Sequence, residues 1–94
     1  MPPDPNRPAT KMRKTVVPMD NAWHDFTGGR LHHVDQQVAG EVAVWHEDER
    51  READYPVVKL RVFATGDVVP GVAEYVGSCK IQAGGVVHVF AVVR

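Results

Sequence analysis

The chain of 94 residues sits near the lower end of the usual one-domain range of about 100–200 residues, so a single small core is expected. Eleven Lys and Arg against twelve Asp and Glu leave a formal charge of −1, which argues against a nucleic-acid coat or a polybasic membrane anchor. The single cysteine, Cys79, excludes an internal disulfide framework and a cysteine-based zinc cluster. No apolar run approaches the roughly 20 residues that span a bilayer, and the start lacks the basic-then-apolar order of a signal peptide. A soluble cytoplasmic protein is expected. Eighteen residues are Val, while Leu occurs only at Leu31 and Leu60. Val is stiff about its first side-chain torsion and suits a pleated surface, so a mainly β, antiparallel domain follows.

Residues 1–11 begin with MPPDPNRPAT and lack the apolar content to offset their ordering entropy, which predicts a disordered Pro-rich arm before a domain at 12–94. Four cations in the first fourteen residues (Arg7, Lys11, Arg13, Lys14) face only Asp4. The first strand is predicted at Met12–Pro18, ended by Pro18, which cannot donate to a ladder. Asp20 to Phe26 reads as a loop with at most one helical turn begun by Asp20. Thr27-Gly28-Gly29 turns the chain into a strand at Leu31–Gln37, and Ala39-Gly40 leads to another at Glu41–Glu47. His46 to Asp54, HEDERREAD, has no apolar stripe and is predicted to be an exposed loop. Val57–Thr65 alternates Val58, Leu60, Val62 and Ala64 with Lys59, Arg61, Phe63 and Thr65. Gly66 to Gly71 turns the chain, and Ala83-Gly84-Gly85 joins Tyr75–Gln82 to Val86–Val93 as the strongest hairpin signal.

A two- or four-residue loop in that hairpin puts Gly77, Cys79 and Ile81 on one face with Val86, His88, Phe90 and Val92. Both faces are then apolar. That pattern suits the middle of a sandwich or a contact with a second copy, so a homo-oligomer is expected. Cys79 shares the face of His88 in this register, but its apolar strand context favours an inert thiol.

Five histidines invite a test for metal binding. If residues 31–47 pair through a two- or four-residue turn, His33, Asp35 and His46 share a face and can hold zinc or a non-haem iron. A three-residue turn instead sets His33 opposite Trp45 and dismantles the site. Trp23, Trp45, Phe63 and Phe90 offer a stacking surface near Arg61, with Lys59 the other cation of that strand. Gly84-Gly85 and Gly28-Gly29 lack the flanks of a phosphate loop and read as turn glycines, so no cofactor is expected.

The landmarks VPMDNAWHDF, LHHVDQQVAGEVAVWHED, LRVFATGDVVPG, EYVGSCKI and VVHVFAV, in this order, resemble a family of short uncharacterised domains from actinobacteria and their tailed phages. The resemblance runs over residues 12–93 and rests on order and spacing. Trp23-His24, His33-Val34, Trp45, Phe63, Thr65-Gly66, Tyr75-Val76-Gly77 and His88-Val89-Phe90 fall on the family's landmarks. Asp67-Val68 stands where the family has His-Pro, and Val87 replaces a Trp before His88, which weakens any shared catalytic use of that loop. The resemblance implies a viral or prophage context, hence a bacterial host cytoplasm, and supplies no activity.

The expected fold is a small antiparallel sheet of five or six strands, formed into a sandwich or half-barrel with at most one short helix. The expected function is non-enzymatic: an accessory protein of phage type that binds a host protein or a small anionic ligand and modulates the host. The alternatives are a nucleic-acid-binding module using the basic N-terminal arm and, behind it, a metal-dependent hydrolase using His33, Asp35 and His46. The binding surface is placed at Trp23, His24, His33, Trp45, Arg61 and Thr65, because irregular loops on a rigid sheet carry binding residues and Trp and Arg dominate interface hot spots.

Overall fold

The computed structural model describes residues 9–48 and 58–93. Seven strands follow in chain order: β1 Met12–Pro18, β2 His24–Phe26, β3 Leu31–Asp35, β4 Glu41–Glu47, β5 Val58–Ala64, β6 Glu74–Lys80 and β7 Val86–Val93. No helix occurs among the described residues, and so none is long and apolar enough to cross a membrane. The extra strand is β2, which the sequence pattern assigns to a loop. Three residues are too few to show a period of two, and β2 forms because Phe26 and His24 register against Val58 and Leu60 at an edge of β5. The helical turn expected at Asp20 is instead a side-chain turn: the Asp20 carboxylate accepts from the Ala22 N–H at 3.1 Å, and Asn21 adopts a left-handed φ of 59°.

The strands form two antiparallel sheets, one ordered β1-β4-β3 and the other β2-β5-β7-β6. Their inner faces meet around one core. Val17, Val42, Val44 and Val34 come from the first sheet, and Phe26, Leu60, Val62, Cys79, Val87, Val89 and Ala91 from the second. Val supplies most of this core because its short branched side chain fills a narrow gap between sheets without many torsions to freeze. The sheets come closest where β3 lies on β6. There a Cβ on Gly77 would stand 2.8 Å from Val34 Cγ2, so only glycine admits that approach.

Both hairpins are connected by five residues, 36–40 and 81–85. An odd connection reverses the face assignment that even loops give. Cys79 therefore pairs with Val87 and enters the core, while Ser78 pairs with His88 on the outer face. The expected sharing of a face by Cys79 and His88 is thus corrected. Gly84 and Gly85, with φ of 97° and 93°, allow the reversal. The outer apolar face of the hairpin is covered in part within the chain, since Phe63 on neighbouring β5 is only 1% exposed there.

The charged stretch also departs from its reading. His46 and Glu47 are 3% and 5% exposed, because they complete β4 rather than open a loop. Residues 49–54 of that stretch lie outside the described residues, as do residues 1–8 of the expected arm. The described end of the arm, Ala9 to Lys11, is exposed, and the Thr10 hydroxyl accepts from the Asp48 N–H at 3.2 Å.

Candidate functional site

The outer face of the four-stranded sheet carries the densest set of functional side chains among the described residues. Alternation along β5 turns Lys59, Arg61 and Phe63 outward, and pairing with β7 sets them beside Val92, Phe90 and His88. Pairing of β7 with β6 adds Tyr75 beside Phe90 and Ser78 beside His88. Trp23, just before β2, closes the other end. Its ring meets Phe63 edge to face at 5.8 Å; Phe63 meets Phe90 at 5.5 Å, and Phe90 meets Tyr75 at 5.6 Å. An aromatic row crosses the whole sheet.

Arg61 lies within this row. Its guanidinium carbon sits 4.5 Å from the Phe63 ring centre and 6.0 Å from that of Trp23, so the cation is held by ring faces. Its Nε is shielded from solvent and has no hydrogen-bond acceptor among the described residues. Lys59, by contrast, is shared with Asp25 at 3.2 Å. An arginine stacked on rings and lacking a carboxylate partner among the described residues is arranged to receive an anion.

Beside Trp23 and Lys59 the sheet face is concave. β5 and β6 both run antiparallel to β7, so residues 65–73 must return from one end of the sheet to the other. This strap brings Pro70 and Val72 alongside Trp23, Lys59 and Val92 to wall a cavity of about 270 Å³. Its start is fixed by a turn in which the Asp67 N–H donates to the Ala64 carbonyl at 3.1 Å with Gly66 at φ 98°.

That turn also presents Thr65 to a directed chain of hydrogen bonds. The Thr65 hydroxyl donates to the Val86 carbonyl at 3.1 Å, so its oxygen accepts from His88 Nε2–H at 2.9 Å. His88 Nδ1 is then the acceptor for the Ser78 hydroxyl at 2.6 Å, and Ser78 Oγ accepts from the Tyr75 phenol at 2.6 Å. Each hydroxyl has one proton to give, which leaves a single consistent ordering. The Ser78–His88 contact has the spacing of a nucleophile and base, but the group that orients His88 is a threonine hydroxyl rather than a carboxylate.

Of the six residues expected to form the site, Trp23, Arg61 and Thr65 share this face. His33 and Trp45 pair with each other on the outer face of the three-stranded sheet, with ring centres 5.3 Å apart. His24 registers with Leu60 at the sheet edge and hydrogen-bonds Asp20 at 2.8 Å. That bond, above all, holds the Asp20 carboxyl below its ordinary value. Sequence reasoning missed Tyr75 and Ser78, and it placed His88 with Cys79. The alternation of His88 and Phe90 was visible; the parity of the connection that puts Ser78 and Tyr75 beside them was not.

The proposed metal ligands are not brought together. His33 stands opposite Trp45 on the outside, whereas His46 turns into the core. There His46 Nδ1–H donates to the Glu47 carbonyl at 2.6 Å, Nε2 accepts from the Thr15 hydroxyl at 2.7 Å, and the ring meets Phe26 edge to face at 4.9 Å. Both ring nitrogens are occupied by protein. No group of three or more His, Cys, Asp or Glu able to hold a metal occurs among the described residues. Cys79 is buried, and burial pushes its thiol above the ordinary value, with Asp35 adding to the effect. Arg13 pairs with Asp48 and Lys14 bonds Gln37, both on the sheet opposite Arg61. The described part of the basic arm and the Arg61 face are therefore on different sheets.

Fold and site together define a small two-sheet antiparallel β domain with an aromatic and cationic sheet face. Residues 8–94 match the domain of unknown function DUF7352, and the chain belongs to that family. No curated protein and no solved structure matches it.

Proposed function

We propose that this domain is a non-enzymatic accessory protein of phage type that captures a small anionic ligand in the cytoplasm of a bacterial host and so modulates the host. The observation that carries the reading is Arg61: a guanidinium stacked on Phe63 and near Trp23, with no ion pair among the described residues, on the face whose cavity Trp23 and Lys59 wall. An unpaired cation next to a concave apolar surface favours a small ligand over a flat protein contact. The phage context rests on the resemblance of the landmarks from Trp23-His24 to His88-Val89-Phe90.

Native mass spectrometry of the chain purified from a bacterial cytosol tests this reading, alongside thermal shift in a panel of organic anions. The expected result is a retained or stabilising anion whose effect is lost in Arg61→Gln and kept in Lys14→Gln. Wild-type chain that retains no anion and is stabilised by none refutes it.

A further inference from the structure

We infer that the ligand of this face is a nucleoside monophosphate, its base held against Trp23 in the strap cavity and its phosphate on Arg61. The inference rests on the anionic-ligand reading above and names its chemical class. Size comes first. A cavity of about 270 Å³ lies below the usual range of about 300–1,000 Å³ for small-molecule pockets, so it takes one planar ring system rather than an extended molecule.

The walls decide what kind of ring. Trp23 supplies an aromatic surface, and Pro70, Val72 and Val92 supply apolar contact, while Lys59 provides the donor at the edge. A heteroaromatic base meets both demands, stacking on Trp23 and accepting from Lys59 through a ring nitrogen or carbonyl.

Charge placement then sets the second half of the ligand. Lys59 and Arg61 are two residues apart on one face of β5, about 7 Å along the strand. A group joined to the base by a sugar spans a distance of that order. Lys59 is already shared with Asp25, so Arg61 is the cation that lacks a carboxylate. Its planar guanidinium, on the outer face beside Trp23 and Phe63, suits a phosphate. On this face, one ring-sized cavity and one guanidinium without an ion pair among the described residues match one nucleotide. A nucleic-acid strand would need further unpaired cations along its path, whereas the next outward cation, Lys80, lies on the far strand β6.

Tryptophan fluorescence of the full chain carrying Trp45→Phe reports on Trp23 alone. Titration with adenosine 5′-monophosphate and uridine 5′-monophosphate should quench it saturably, with adenosine and inorganic phosphate each binding far more weakly. Arg61→Gln should weaken the nucleotides about 10- to 100-fold, as loss of a charge-assisted pair does. Arg61→Lys, which keeps the charge without the planar fork, should recover only part of that loss. Circular dichroism confirms that each variant is folded. Absence of saturable quenching by either nucleotide at millimolar concentration overturns the inference. If benzoate or inorganic phosphate alone then binds in an Arg61-dependent way, the nucleotide class fails and the anionic-ligand reading survives. If no anion binds, both fail. Tight binding of a ten-residue oligothymidylate without binding of either mononucleotide also overturns the inference, in favour of a nucleic-acid surface.

Discussion

Phe63 points away from the main core yet is 1% exposed, so the outer face carries a second, smaller core of its own. Replacing it with alanine tests that statement. The ring would lose its edge-to-face contacts with Trp23 at 5.8 Å and Phe90 at 5.5 Å, and Arg61 would lose the ring 4.5 Å beneath it. Truncating a buried phenylalanine costs about 3–5 kcal/mol, and each aromatic pair accounts for about 0.5–1.5 kcal/mol of this kind of loss. For a domain of 60–100 residues, about 1 kcal/mol lowers the Tm by about 4–8 °C, so a fall of at least about 12 °C is expected. Urea denaturation followed by circular dichroism gives the free energy directly. Tyr75, 61% exposed at the end of the same row, supplies the contrast: Tyr75→Ala should cost about 1 kcal/mol or less. A double-mutant cycle with Trp23→Ala should return a coupling of about 0.5–1.5 kcal/mol. A Phe63→Ala cost below about 1 kcal/mol, equal to that of Tyr75→Ala, would refute the idea of a second core.

Gly28→Ala should destabilise by about 1–3 kcal/mol through overpacking, since its Cβ would run into both His46 Nδ1 and Phe26 Cζ; a urea midpoint unchanged from wild type contradicts this. Asp20 titrates below its ordinary value of 3.8 because His24 hydrogen-bonds its carboxylate. Its folded pKa is the lower one, so its contribution is present above about pH 4 and lost as pH falls through the folded value. Carboxyl chemical shifts should give a midpoint below 3.8 in wild type and a higher one in His24→Ala; equal midpoints contradict this. Cys79 has the opposite sign: its thiol lies above the ordinary 9.0, so the neutral form is favoured and stability declines as pH rises beyond about 9. Iodoacetamide at pH 8 should modify the folded chain much more slowly than the urea-unfolded chain, and equal rates would show that the thiol is accessible.

Most of the fold is legible in the sequence because valine makes strand segments easy to see and glycine or proline ends them. Met12–Pro18, Glu41–Glu47 and Val86–Val93 each have such a residue at one end, and the structure forms strands over those same residues. Val58–Ala64 and Glu74–Lys80 differ from their predicted limits by a residue or two at the ends. What fails is the short element. β2 owes its existence to pairing with β5, a partner more than thirty residues away in sequence, and no local pattern reports such a contact. His46 and Glu47 fail for a related reason: their charge suggests solvent, while Thr15, Phe26 and His32 provide partners from other strands.

The site is less legible than the fold because it depends on the parity of two connections. Side chains alternate along a strand, so one residue more or less in a loop exchanges every pair across a hairpin. The register of β3 on β4, with Asp35 opposite Ala43, puts His33 beside Trp45 and leaves His46 facing inward, which separates the three candidate metal ligands. Five residues between β6 and β7 give His88 a serine instead of a cysteine. The bulge between Tyr75 and Gly77 then sets Tyr75 beside Phe90 and its phenol within reach of Ser78. Trp23, Arg61 and Thr65 escape this dependence. Arg61 and Thr65 lie on a single strand or its immediate continuation, whose alternation can be read without knowing any loop, and Trp23 reaches the same face through its ring contact with Phe63. Residues whose placement follows from one strand are recoverable from sequence; those placed by a hairpin register need the length and geometry of the turn.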